Sequence, residues 1–467
     1  MALNNILYNL PEVRKPVEKK LSFNQKLKWT LIVLVAFFIL ANIPLYGLAK
    51  NSLDRFEYLA IILGTDFGSI ISLGIGPIVM ASIILQLLVG SGILKIDTNS
   101  SEGKKYFQGL QKLGVLFFIL FEAIIYVVMG GLQAVPGYSL IVVGQLILGG
   151  LAIMFMDEVT TKWGFGSGVS IFIVAGVAWR LVSGLIQFLG QSGQNCLVNF
   201  SSGTTPCTGK ILIIIQSVIN PAPTELVSAL AAIIFTIFIF LAVVWAQNLK
   251  VEIPLSYERL RGYGIKWPLA FFYASNIPVI LTAALVANLQ LFGGLLQNSF
   301  GHATILGNFQ NGQAVSGLSF WLGSSNIVDT IIRSNGLSTV PISIFFQAIT
   351  HLIFYMAISA LFAVLWVKTS GMDEASQAKK IMASGLQIPG FRKDQRVLES
   401  ILKRYILPLT VMGGLAVGAL AAFADILGAL TSGTAILLGV MITYQLYQNI
   451  AQQHAVDMHP ALRKMVA

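Results

Sequence analysis

Leu73-Gly-Ile-Gly-Pro-Ile-Val79 opens an apolar membrane helix with two glycines and a proline, just after an apolar piece, Phe56 to Gly68, too short to cross a bilayer. A span needs about 20 residues, so that piece must enter the membrane and return. Broken backbone at membrane depth is tolerated only where protein or a water-filled cavity satisfies its polar groups. This place is therefore expected to line a passage, and the chain reads as a conduit.

Composition agrees with a polytopic membrane protein: 55% of residues are hydrophobic, 11% are charged and the mean hydropathy is +0.78, far from the usage of a soluble domain. Pro11 to Lys28 is polar and basic, and the first apolar run begins at Trp29 at span length without a small-residue cleavage site, so the first span is expected to persist. Apolar runs predict ten spans, roughly 29–49, 70–94, 110–133, 138–156, 167–189, 225–249, 268–296, 341–367, 404–424 and 430–451, in one membrane domain. An even count puts both termini on one side. That side collects 25 of the 30 Lys and Arg residues, leaving Lys50, Arg55, Arg180, Lys210 and Arg333 opposite. The positive-inside rule makes it cytoplasmic.

Two cytoplasmic loops, 250–267 and 368–403, combine clustered basic residues with Pro, Gly and aromatics. Such loops serve orientation and contact with anionic lipid, or a phosphate-rich partner such as ribosomal RNA, and the sequence does not choose. The two long outward loops, Gly190 to Thr224 and Gly293 to Pro341, are rich in Ser, Thr, Asn, Gln and Gly. The first holds both cysteines, Cys196 and Cys207, which suggest a disulfide of about 3 kcal/mol or else two free thiols. It also holds an N-x-S acceptor pattern at Asn199. Acidic residues largely avoid these loops, as would suit an acidic exterior.

Catalytic and metal patterns are absent from the sequence: His302, His351, His454 and His459 are scattered, and no P-loop, His-Glu-x-x-His or Gly-x-Ser-x-Gly run occurs. No enzyme chemistry, cofactor or metal is expected. Glu122 is the main ionisable residue inside a span, with Asp425 near a span end. Such a group is either a hydrogen-bonded acid between helices or part of a transport path.

Leu73-Gly-Ile-Gly-Pro-Ile-Val79 with Gln86-Leu-Leu-Val-Gly90, Lys162-Trp-Gly-Phe-Gly-Ser-Gly168, Val251-Glu-Ile-Pro254, Ser275-Asn-Ile-Pro-Val-Ile280, Gly390-Phe-Arg392 and Gly433-Thr434 together resemble the SecY family, in its archaeal wording. The resemblance runs in order over nearly the whole chain. It implies the pore subunit of a protein-conducting channel, all-α, with two five-span halves, here 1–210 and 211–467, related by an inverted repeat. It implies a plug at 56–68, with Phe56, Ile61, Ile62, Leu63 and Phe67. The matching positions for a central aliphatic ring are Ile75, Val79, Val169, Ile173, Ile280 and Leu438. A narrow apolar ring dewets against ions yet offers a passing chain no fixed hydrogen-bond partner.

A lateral gate, where spans two and three face spans seven and eight, is implied as well. Gly74, Gly76 and Pro77 would bend one side of it, and Asn276 and Pro278, beside Ser275, would interrupt the other. Glu122 and Asn288 would hydrogen-bond across the seam, while Met80 stands where the family often has a threonine. Arg259, Arg261, Arg392 and Lys393 match loops that dock the ribosome. The implied partners are SecE-like and Sec-beta-like small subunits, the translating ribosome, signal peptides and nascent polypeptides, and the lipid bilayer of the cytoplasmic membrane. A secondary transporter is the alternative, but its midplane would carry polar ligands where this chain has aliphatic residues.

Overall fold

The computed structural model describes residues 10–17, 21–48, 68–90, 92–96, 100–129, 131–188, 195–198, 207–257, 264–274, 276–310, 313–334, 340–387 and 394–458. Eight of the described helices are long and apolar enough to cross a membrane. The first, α1 (Phe23–Ala41), begins six residues before the apolar run because Ser22 and Gln25 form a capping box, in which each side chain satisfies a backbone N–H of the first turn. The second expected span is shortened: residues 68–75 are turns and α2 covers only Gly76–Gly90. The other spans follow in the expected order as α3 (Ser101–Val128), α4 (Ser139–Trp163), α5 (Gly168–Ile186), then, after the ten-residue α6 (Lys210–Ile219), α7 (Pro223–Gln247).

Both basic loops carry strands that the all-helical expectation did not contain. In β1 (Lys250–Tyr257), Ile253 and Leu255 are buried while Glu252 and Pro254 are exposed, the period of two that a half-buried strand requires. β1 pairs antiparallel with β2 (Gly264–Ala270), Ile253 opposite Trp267. The chain then crosses the membrane as α8 (Ile277–Phe300) and makes a hairpin of β3 (Asn308–Gln310) and β4 (Gln313–Ser316) at the far end. Two short helices follow there, α9 (Leu318–Leu322) and α10 (Ile327–Arg333), before α11 (Ile342–Thr369) returns to the side of β1 and β2. There α12 (Glu374–Ala383) leads to β5 (Leu386–Gln387), which adds to β1, so the strand order is β2-β1-β5.

Ile253, Leu255 and Leu269 of this sheet pack with Val367, Ala378, Ile381 and Leu402 in a core of their own. The two basic loops are thereby one folded unit rather than separate tethers. The last two spans are α13 (Gln395–Leu427) and α14 (Gly433–Met458). α13 starts well before residue 404 because Asp394 accepts the amide of Arg396 as a cap.

The polar segment at residues 11–14 straps the start of α3 to the end of α4. The Val13 amide donates to Glu158 Oε2 at 2.9 Å, and Trp163 Nε1 donates to the Arg14 carbonyl at 2.9 Å. Lys162 Nζ donates to Glu12 Oε1 at 2.5 Å and to the Val13 carbonyl at 2.7 Å. Lys112 of α3 pairs with Glu158 and also reaches the Pro11 carbonyl.

Candidate channel site

The irregular segment before α2 is satisfied from within. Ser72 is fully buried; its Oγ accepts the Gly68 amide at 2.8 Å and donates to the Ser69 carbonyl at 2.6 Å. The Gly74 amide donates to the Ile71 carbonyl at 2.8 Å, and Gly74 has φ +56°, a conformation that favours glycine. Opposite it, a Cβ on Gly149 of α4 would strike the Ile70 carbonyl, so the small residue lets this turn press against the helix. Unwound backbone at membrane depth thus finds its partners in protein.

The six aliphatic residues meet in one hydrophobic cluster. Ile75, Val79, Ile173 and Leu438 are buried in it, with Val169 and Ile280 partly buried against it. They arrive from the turn before α2, from α2 itself, from α5, from α8 and from α14. The cluster also includes neighbours such as Ile71, Ile83 and Phe172, the last stacked on Phe37 at 4.7 Å. Among the described residues no group of three or more His, Cys, Asp or Glu could hold a metal ion.

The expected kinks are placed differently from the sequence reading. Gly76 and Pro77 begin α2 and do not bend its interior. Asn276 likewise sits at the N-cap of α8 and Pro278 lies in its first turn, so they start the seventh span and do not interrupt it. The reason is proline chemistry: its missing N–H costs nothing in a first turn, where that donor has no intrahelical partner. Ser275 lies outside the described residues.

α2 contacts both α8 and α11. Ala123 and Tyr126 of α3 pack with Ala287, Leu291 and Leu295 of α8. The seam between these pairs is therefore shut. Glu122 and Asn288 are both buried at it, yet Asn288 Nδ2 donates to Ala284 of its own helix at 2.8 Å and Glu122 Oε1 has no hydrogen-bond partner. No hydrogen bond among the described residues joins Glu122 to Asn288, so the expected bond across the seam is not made. A polar tie does join α8 to α11, between the hydroxyls of Thr282 and Ser359 at 3.0 Å.

Cys196 and Cys207 are joined in a disulfide with Cα atoms 5.3 Å apart. The plug residues Phe56, Ile61, Ile62, Leu63 and Phe67, the basic residues Arg259, Arg261, Arg392 and Lys393, and Asn199 lie outside the described residues. Sequence reasoning missed two features: the strap at residues 11–14 and Asp157, whose Oδ1 accepts the Val169 amide at 2.9 Å. Asp157 stands five residues before the Lys162–Gly168 motif and twelve before the amide it caps, and nothing in the spacing says that α4 overlaps the start of α5.

A multi-pass helical bundle with a satisfied break in its backbone beside an aliphatic centre defines a membrane channel. The SecY family model matches residues 69–447, and the model for the plug domain of Sec61p matches residues 35–68. The chain belongs to the SecY family. The protein translocase subunit SecY of Methanothermobacter thermautotrophicus is 43% identical over 462 residues, 98% of this chain and 96% of that relative. The SecY subunit of Methanocaldococcus jannaschii is 39% identical over 462 residues, 99% of this chain and 98% of that one. A solved protein-conducting channel superposes with a TM-score of 0.82 at 38% identity, covering 98% of this chain and 99% of the other. Sec61 in the canine ribosome-channel complex superposes with a TM-score of 0.78, also at 38% identity, with 98% and 99% covered. The function that follows is that of the pore subunit of a protein translocation channel.

Proposed function

We propose that Ile75, Val79, Val169, Ile173, Ile280 and Leu438 form the constriction of this channel, with residues 56–68 as the plug that caps it at rest. An unfolded polypeptide passes through the ring, and apolar segments leave sideways to lipid between α2/α3 and α8/α11. The halves 1–210 and 211–467 move apart to permit both. The termini and the sheet face the cytoplasm, and SecE-like and Sec-beta-like subunits brace the bundle from outside. The translating ribosome docks on Arg259, Arg261, Arg392 and Lys393; the solved canine relative is a ribosome-channel complex.

The observation that carries this reading is the convergence of six aliphatic side chains, from stretches as distant as residues 75 and 438, in one apolar cluster. A narrow aliphatic constriction excludes ions by dewetting and performs no chemistry. The test is bilayer conductance of the purified complex with Ile75, Ile173 and Ile280 changed together to Ser. Polar substitution wets the ring and raises the resting ion current without abolishing protein transport. A folded triple variant as tight as the parent overturns the pore assignment.

A further inference from the structure

We infer that Asp157 is a positioning residue for the constriction, a helix cap supplied from α4 that fixes the α5 side of the ring; the inference rests on the ring reading proposed above. α4 runs on to Trp163, six residues past Asp157. At 1.5 Å per residue that is about 9 Å, so residues 164–167 fold back along α4 and α5 begins beside it, not beyond it. In the first turn of α5, Gly168 and Ile171 are buried and Val169 and Ser170 half-buried, so its free amides are largely shielded from water and need partners in protein.

Ser167 occupies the N-cap position of α5, yet its side chain makes no capping bond. Asp157 Oδ1 does that work: the Val169 amide donates to it at 2.9 Å and the Ser167 hydroxyl at 3.5 Å. The approach is close enough that a Cβ on Gly168 would fall 2.5 Å from the Asp157 Cα and 2.9 Å from its Oδ1. The far side of the same loop is pinned to α1, where the Phe165 amide donates to Thr30 Oγ1 at 3.1 Å. A carboxylate at a helix N-terminus also meets the positive end of the helix dipole.

Among the described residues, the Lys side chains next to the neighbouring Glu158 are paired with other acids. Lys112 pairs with Glu158, and Lys162 reaches Glu12 and Glu158. The carboxylate of Asp157 is left to the α5 amides. Val169 is at once the residue whose amide is capped and a ring position, and Ile173 lies one turn on along the same face. Loss of the cap frays the turn that presents both side chains.

The experiment compares resting bilayer conductance of the intact complex for Asp157→Ala, Asp157→Asn and Gly168→Ala, with Glu158→Ala as a stability control and the Ile75/Ile173/Ile280→Ser triple in parallel. Asp157→Ala is expected to leak about tenfold more than the parent, the population shift that a lost cap of about 1.4 kcal/mol produces. Asp157→Asn keeps an oxygen for the Val169 amide and stays close to the parent. Gly168→Ala pushes the loop off Asp157 and leaks while keeping the carboxylate, so it carries the test even if Asp157→Ala fails to assemble. Glu158→Ala, which loosens only the strap, stays tight. Leakage by the triple variant with tight Asp157→Ala or Gly168→Ala channels overturns the positioning role alone. Equal leakage from Glu158→Ala overturns it too, by exposing general destabilisation as the cause. A tight triple variant removes the ring reading and this inference together.

Discussion

His351 Nε2 lies 3.4 Å from Asp425 Oδ2, both side chains buried near the outward ends of α11 and α13. His351 Nδ1 is 2.8 Å from the Leu322 carbonyl, which can only accept, so Nδ1 carries a proton. Asp425 Oδ1 accepts the Gly433 amide at 2.5 Å. Four elements, α9, α11, α13 and α14, are thus tied through two side chains.

Asp425→Asn should therefore be mild. Its oxygen still accepts the Gly433 amide and its NH2 can donate to Nε2, keeping stability within about 1 kcal/mol of the parent. Asp425→Ala strands both the Gly433 N–H and His351 and should cost about 2–3 kcal/mol. Denaturant unfolding of the solubilised complex separates the two. Equal losses for the Asn and Ala variants would refute the pairing.

The cytoplasmic strap should respond to pH. The Lys162 hydrogen bond holds the Glu12 carboxyl below its ordinary value of 4.5, with burial pulling the other way and the charges of Lys162, Lys112 and Lys15 adding to the depression. A depressed carboxyl contributes to docking above its ordinary value, and that contribution vanishes as pH falls through the folded value. Because Glu12 is largely exposed, the effect should be small and weakened by salt. Hydrogen exchange at the Val13 amide, corrected for its intrinsic pH dependence, should lose protection between about pH 6 and about pH 3. Constant protection over that interval would exclude Glu12 from holding the strap.

Apolar run length was enough to order the spans, because it follows directly from the bilayer's thickness. The sheet was not expected, although Val251-Glu-Ile-Pro-Leu255 alternates in polarity as a half-buried strand does; the clustered charges around it resemble those of a loop. The start of α1 at Phe23 was visible in Ser22 and Gln25, whose spacing is that of a capping box. The contacts of Asp157 with Val169, of Glu12 with Lys162 and of His351 with Asp425 were not legible. Each joins elements whose relative depth is set by packing, and no local pattern encodes it.

The sheet predicts how the basic loops act. Tyr257 of β1 pairs with Leu386 of β5, and Ser256 with Gln387, so the segments that bear Arg259, Arg261, Arg392 and Lys393 leave from adjoining strands. If they form one docking surface, reversing Arg259 and Arg392 to Glu should weaken ribosome binding together by more than either alone. Each neutralised phosphate contact lowers the salt dependence by a slope of about 0.7–0.9. Binding titrations across salt concentrations test this. An unchanged affinity at low salt would remove the loops from the interface.

The shut seam offers the sharpest test of lateral release, because it closes at two levels. At the C-terminal end of α2, a Cβ on Gly90 would lie 2.6 Å from Leu365 Cδ2 of α11, and beyond the C-terminal end of α3 one on Gly131 would lie 2.9 Å from Leu295 Cδ2 of α8. Cysteines at Gly90 and Leu365, oxidised in the intact complex, should hold α2 against α11. Such a lock leaves the resting seal intact, since the ring lies away from the seam end, and stops apolar segments from reaching lipid. Photocrosslinking of a nascent apolar segment to lipid should fall severalfold on oxidation and recover on reduction. Undiminished lipid contact in a fully crosslinked channel would show that segments leave by another route and would remove α2 and α11 from the gate.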